Sequence, residues 1–194
     1  EAYNYIASNN DLISAFGIDI EAAKSHYINY GYAEGRATDN FNAWGYLAKY
    51  DDLVNAFGSD VNSAIQHYIN HGFSEGRSSG DFEVFNYIAS HNELINAFGS
   101  NSDLGGAHYL NHGKSEGRAL DTFDEWSYIA SHNDLIAAFG SYSEVASLGT
   151  QHYINHGYSE GRVKDNFDEW GYLASNTDLM GVFGSDTTEA VKHF

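Results

Sequence analysis

Ten histidines stand in a chain of 194 residues that carries nine basic side chains against 27 acidic ones. They are the groups with the most chemistry to offer. Five recur as the first member of a His-Tyr or His-Phe pair: His26, His67, His108, His152 and His193. Four residues on stand His71, His112 and His156, with Tyr30 at that place in the first copy. Imidazoles at i and i+4 of a helix share one face and can chelate a zinc or copper ion. The residue three before each first histidine is small (Ala23, Ala64, Gly105, Gly149, Ala190). That leaves a flat face on which His and Tyr could equally offer axial ligands to haem. The same flatness suits a half-buried histidine hydrogen-bonded to a close neighbouring element. The second histidine also falls just before a glycine stop, where a helix C-terminus favours imidazolium. Three pairs made by duplication of one module are one signal rather than three. The pattern requires no cofactor, and haem and zinc are those it admits. His91 and His132 alternate with Asn9, Tyr50 and Asn176 and read as a tolerant surface position.

Acidic clusters recur as Asp121, Asp124 and Glu125 and as Asp165, Asp168 and Glu169. Oxygens of this kind can hold calcium, yet Asp-x-x-Asp before an aromatic run is also how a helix start is capped. No Asp-x-Asp-x-Asp-Gly loop accompanies them. A Gly-x-x-Glu-Gly-Arg turn supplies Glu34/Arg36, Glu75/Arg77, Glu116/Arg118 and Glu160/Arg162. Each arginine could fork an anionic ligand, or tie carbonyls and carboxylates together where repeats meet. The second reading makes these eight residues inter-repeat structural ties. Catalysis has little to stand on. No Gly-x-Ser-x-Gly elbow occurs, cysteine chemistry is impossible without Cys, and the His-x-x-x-His helices lack the glutamate of the zinc-protease motif. An active site also normally breaks a repeat, whereas these carboxylates follow it.

The elements that position these groups are announced by self-similarity. The first histidines are spaced 41, 41, 44 and 41 residues apart, and Tyr5, Tyr46, Tyr87, Tyr128 and Tyr172 keep the same intervals. The reading is five repeats: 1–38, 39–79, 80–120, 121–164 with a three-residue insertion between Phe139 and His152, and a truncated 165–194. Three helices fit each unit. In the second copy the first spans about Phe41 to Tyr50, with Phe41, Trp44, Leu47 and Ala48 on one stripe and Asp39 or Asn40 as cap. The next holds Leu53, Ala56 and Phe57 and stops at Gly58. Four copies precede it with Ser-x-x-Asp/Glu, a capping-box spacing. The third spans about Asp60 to His71, stopped by Gly72. The ring at Tyr3, Trp44, Phe85, Trp126 and Trp170 and the leucine at Leu12, Leu53, Leu94, Leu135 and Leu179 read as core. The fold class is all-α: a tandem array of roughly 41-residue three-helix repeats, solenoid-like or a compact helical array.

A net charge of −18 argues against nucleic acid and anionic lipid. No stretch of 18 or more apolar residues is present, so no membrane insertion is expected. Absence of Cys excludes disulfides and thiolate metal sites, and 15% aromatics point to a folded chain rather than an acidic tail. The sequence starts at Glu1 and stops at His193-Phe194 within a motif, so it is expected to be part of a larger polypeptide.

The composite pattern FDxxxYLAxxxDLxxAFG…HYxxxGxxEGR resembles tandem repeats of large secreted and surface-associated bacterial proteins, many of the calcium-binding, type I-secreted class. The resemblance covers essentially the whole chain. It implies an extracellular or cell-surface setting and a protein or glycan partner, and no particular reaction. The glycine-aspartate nonapeptides of that class are missing, so no calcium-roll site carries over.

Overall fold

The computed structural model describes residues 2–140 and 145–194; the part of the fourth-repeat insertion at 141–144 lies outside the described residues. Every element among the described residues is helical, and none is a strand. One triplet recurs five times: α1 (Ala2–Ala7), α2 (Asn10–Phe16) and α3 (Ile20–His26); then α4 (Ala43–Lys49), α5 (Asp51–Phe57) and α6 (Val61–His67). The third triplet is α7 (Val84–Ser90), α8 (Asn92–Phe98) and α9 (Ser102–His108), and the fourth α10 (Glu125–Ala130), α11 (Asn133–Phe139) and α12 (Val145–His152). The last is α13 (Glu169–Ser175), α14 (Thr177–Phe183) and α15 (Thr187–His193).

Local chemistry sets each boundary, and three boundaries differ from those read in the sequence. The first helix starts later than Phe41, because Asn42 is the cap and accepts from the Gly45 amide at 2.7 Å. Asp124 and Asp168 cap α10 and α13 in the same way. Phe41 therefore lies outside the helix, and its ring stacks on Tyr68 with centroids 4.3 Å apart. Phe82 on Tyr109 and Phe123 on Tyr153 repeat the stack.

The second helix does end at Gly58, whose φ of 59° needs no side chain. Its expected capping box does not form. The residue before the helix, Asn9, Tyr50, His91, His132 or Asn176, makes no side-chain cap bond. The serine one place earlier faces the following repeat instead. Ser8 Oγ accepts from the amides of Asn40 and Phe41, Ser90 Oγ from Thr122 and Ser131 Oγ from Asn166.

The third helix starts where Asp19, Asp60 or Asp186 caps it. It does not stop at Gly72. It widens into a π turn, Tyr68–Gly72, and Phe73 keeps right-handed helical angles. Tyr27–Gly31, Tyr109–Gly113 and Tyr153–Gly157 do the same. The chain reverses four residues later, at Gly35, Gly76, Gly117 and Gly161, all with positive φ. The reason for glycine at position 72 is contact: a Cβ there would lie 2.2 Å from Tyr46 Oη. Gly31 and Gly157 stand likewise against Tyr5 and Tyr128.

The chain forms two compact units, one of Glu1–Val84 with Gly106–Arg118 and one of Phe85–Gly105 with Ala119–Phe194. In the first, α4 packs on α5 and α6, and α1 of the first repeat leans on α6 of the second. Trp44 covers Gly106, where a Cβ would sit 2.3 Å from the indole. In the second, α10 packs on α11 and α12 and leans on α15 of the next repeat. Gly149 lets α12 approach α10 closely, its missing Cβ being replaced by Ile129 Cδ1. The repeated leucines are buried in all five copies, and Tyr46, Tyr87 and Tyr128 are fully enclosed. The variable ring is different from the core position read in the sequence. Tyr3, Trp44, Phe85 and Trp126 are only half-buried, and Trp170 is 61% exposed. For Trp44 the covering surface is the third helix of the following repeat.

The Tyr46–Gly72 contact yields a double-mutant test. Gly72→Ala places a better helix former in the turn, which alone would favour folding. The clash with the phenol should dominate, with a loss of about 2–3 kcal/mol in chemical denaturation. Tyr46→Phe should cost about 1 kcal/mol and make the second change milder, so the double variant is more stable than Gly72→Ala alone. Additive losses, or a stabilising Gly72→Ala, would refute the contact.

Candidate functional site

The first histidine of each pair is the last residue of a third helix, and it points into its own repeat. His26 Nδ1 is 2.8 Å from Tyr5 Oη, His67 Nδ1 is 3.0 Å from Tyr46 Oη, and His152 and His193 pair with Tyr128 and Tyr172 at 2.9 Å. The phenylalanine ending the second helix packs beside it: Phe16 on His26, Phe57 on His67, Phe139 on His152 and Phe183 on His193, at 5.5–5.9 Å. The imidazole thus joins all three helices of a repeat. This is the hydrogen-bonded, half-buried arrangement that was one of the two readings of the sequence.

The second histidine lies on the outer side of the π turn. His71, His112 and His156 are exposed, as is Tyr30. Ring centroids are 5.5 Å apart for His67 and His71, 5.6 Å for His108 and His112, and 5.5 Å for His152 and His156; His26 and Tyr30 stand at 5.7 Å. The sequence pairs are therefore adjacent in space. Nδ1 of His67 and of His152 is engaged by a phenol, leaving Nε2 for any ligand; a metal there requires the tautomer in which Nδ1–H donates to the tyrosine oxygen. Among the described residues, no group of three or more His, Asp or Glu side chains gathers as a metal cage.

Burial of the inner histidine opposes a charge on it. Burial lowers the pKa of His67 and His152, and the guanidinium of Arg77 or Arg162 lowers it further. Burial also pushes the Tyr128 phenol up to about 12, so the hydroxyl stays protonated.

The arginines of the Glu-Gly-Arg turns act within a repeat, which corrects their reading as inter-repeat ties. Arg36 Nε donates to Glu34 at 2.7 Å while Nη1 reaches both oxygens of Asp11. Arg77 holds Glu75 and Asp52, Arg162 holds Glu160 and Asp134, and Arg118 Nε donates to Glu116 at 2.6 Å. Asp11, Asp52 and Asp134 sit in the first turn of a second helix. The fork therefore fastens the end of a repeat to its own middle, and the arginine hydrogen bond lowers each of these carboxyl pKa values.

The linker that ends each of the first four repeats, and some of the contacts between repeats, rest on residues that sequence reasoning passed over. His91 Nε2 meets the Ala119 carbonyl at 2.9 Å and His132 Nε2 that of Val163 at 3.0 Å. Asn9 donates to Ala37 O, and Tyr50 Oη accepts from the Ser78 amide. The position read as tolerant surface thus holds the linker, and its residues share only a polar tip. Lys114 Nζ donates to Ala48 O and Asp51, and Lys164 Nζ to Ala89 O, so both lysines end a first helix of the preceding repeat. Lys164 also lies over the Phe123 and Tyr153 rings. The acid clusters are engaged in caps: Asp124 with Ser127, Asp168 with Gly171, and Asp121 and Asp165 with the amides of Phe123 and Phe167. Asn86 bonds Asp121 and accepts from Thr150, whereas Asn4, its counterpart, leaves Oδ1 buried without a partner. At the register of Thr150, α6 carries Ile65, which has no donor.

The chain matches no family model, no curated protein and no solved structure.

The buried imidazoles give a pH dependence with a definite sign. The folded chain holds His67 and His152 neutral, whereas the unfolded chain protonates them near pH 6.5, roughly the free imidazole value. Below that pH the unfolded state binds protons that the folded state refuses, so stability falls from about pH 7 to pH 5. The arginine-bound carboxylates contribute their own loss only below about pH 4, since their folded values are depressed. Urea denaturation of wild type against His67→Gln/His152→Gln checks this. The double variant is expected to be less stable at neutral pH and flatter between pH 7 and 5; equal slopes would assign the dependence elsewhere.

Proposed function

We propose that this chain is a non-catalytic repeat region of a secreted or cell-surface bacterial protein, serving as a stalk, spacer or surface for a protein or glycan partner. One observation carries the reading. The polar side chains that recur most faithfully, the Tyr–His pairs and the Glu-Gly-Arg forks, are engaged in holding a repeat together. What recurs is a way of building a module. The resemblance of the composite motif to repeats of secreted surface proteins supports the extracellular setting, and the net charge of −18 agrees with a highly solvated surface.

A second reading, capture of haem or a divalent metal, is favoured by the three exposed-and-inner imidazole pairs at 5.5–5.6 Å. Against it stands the burial of the inner ring of two of them, which disfavours a charged species there, and the engagement of its Nδ1 by a phenol. The two readings part on titration. Purified protein is expected to be colourless and metal-free, with a melting temperature that ignores added Zn²⁺ or haemin. A Soret band, or one metal per pair that disappears in His71→Ala/His112→Ala/His156→Ala, would overturn the first reading in favour of the second. Stabilisation by Ca²⁺ alone would overturn both and point to the acids at the repeat starts.

A further inference from the structure

Repeats that share one core design differ where they face each other. In the first unit the Trp44 indole occupies the place of a Cβ on Gly106 of the following repeat, which would lie 2.3 Å from the ring. Glycine stands at that register in the third copy alone; the others carry Lys24, Ile65, Thr150 and Val191. In the same unit Lys114 reaches back to Asp51 and to the Ala48 carbonyl. Lys114 stands where the other copies have Tyr32, Phe73 and Tyr158, and Asp51 where they have Asn10, Asn92, Asn133 and Thr177. The one lysine of its register thus meets the one aspartate of the other. In the second unit the facing groups are different. Thr150 Oγ1 stands 3.2 Å from Asn86 Oδ1 of the preceding repeat and equally far from its own Ala146 carbonyl. Asn96 donates to Tyr158 Oη at 2.9 Å. A mismatch also has a visible form: Asn4, with Ile65 at the facing register, leaves Oδ1 buried and unbonded.

From this covariation we infer that the seams are keyed, and that these facing pairs fix which repeat follows which. Modules with interchangeable cores are exposed to wrong pairing, a characteristic failure of repeat arrays. Selection against a wrong neighbour comes from a clash or an orphaned polar atom as much as from the right neighbour's contact. A threonine or isoleucine behind Trp44 would drive a branched side chain into the indole. A glycine behind Asn86 would leave its Oδ1 without the hydroxyl it now faces. The Asp51 side chain is 81% exposed, so its ion pair adds little, and the clash and the orphaned amide carry the selection. The tripeptides that bear the two receiving residues differ at one position, Leu104-Gly105-Gly106 against Leu148-Gly149-Thr150.

Exchanging those two residues in the whole chain tests this at constant composition. In Gly106→Thr/Thr150→Gly, the helix propensity lost in one third helix is regained in the other. Urea denaturation should show the unfolding equilibrium constant raised by about 30-fold or more. In a chain that lacks the opposite halves, Trp44→Ala/Asn86→Ala, the same exchange should change it by no more than about threefold. An exchanged chain that circular dichroism finds unfolded, and that regains its helices when Trp44→Ala/Asn86→Ala is added, gives the same answer. Should Trp44→Ala alone unfold the chain, Thr150→Gly with and without Asn86→Ala carries the comparison, and the loss should be smaller in the Asn86→Ala background. An exchange without cost, or a cost equal in both backgrounds, would overturn the inference.

Discussion

A phenol cannot be enclosed in an apolar three-helix core unless its hydroxyl finds a partner there. In this chain the partner is the imidazole that ends the third helix, and most of the repeat follows from that one bond. The hydroxyl lies so near the third helix that only glycine fits opposite it, which places Gly31, Gly72 and Gly157 inside the helix rather than at its end. The helix there is a π turn, its closing bond running from the Phe73 amide to the Tyr68 carbonyl. Small residues three before the histidine let the first and third helices approach closely enough for the bond to form, as Gly149 does against Ile129. The phenylalanine that ends the second helix packs on the imidazole and brings the remaining helix in. A group that looks like a metal ligand in isolation is thus the centre of a core.

Contacts between repeats work on another principle. Inside a repeat, rings and leucines dominate; between repeats, side chains satisfy the backbone of the neighbour. A serine hydroxyl takes the amides of the incoming segment, and a lysine closes the C-terminal end of a first helix. Each such group would be a buried or unpaired polar end in a lone repeat, so neighbours stabilise one another through hydrogen-bond satisfaction as well as through area. Where the partner is missing the defect is visible: Asn4 Oδ1 is buried and unbonded, while Asn86 at the same register accepts from Thr150.

The parts of this arrangement that depend on periodicity were legible in the sequence. Five leucines at one register, a glycine closing each second helix and an aspartate opening the third could be placed from spacing alone, because each acts within a few residues of itself. Gly72 misled because a glycine after a helical run ordinarily marks its end; its cause is a tyrosine 26 residues earlier, and no local rule contains that. Ser8 and Ser131 misled in the same way, since Ser-x-x-Asp is a local capping signal and their true partners lie more than 30 residues on. The arginines were assigned to the wrong seam because the distance from Arg36 back to Asp11 is set by the fold of the whole repeat. His91 and His132 looked dispensable because Asn and Tyr replace them, when the shared property was reach to the linker backbone rather than chemical type.

The arginine fork that closes the first, second and fourth repeats on their own second helices has a consequence at the level of genes. Because Arg77 is satisfied by Glu75 and Asp52, no repeat depends on its successor to finish its turn. A duplication or loss of one 41-residue block by unequal recombination therefore leaves each of these arginines with its own two carboxylates, so that the number of repeats can change without breaking a fork.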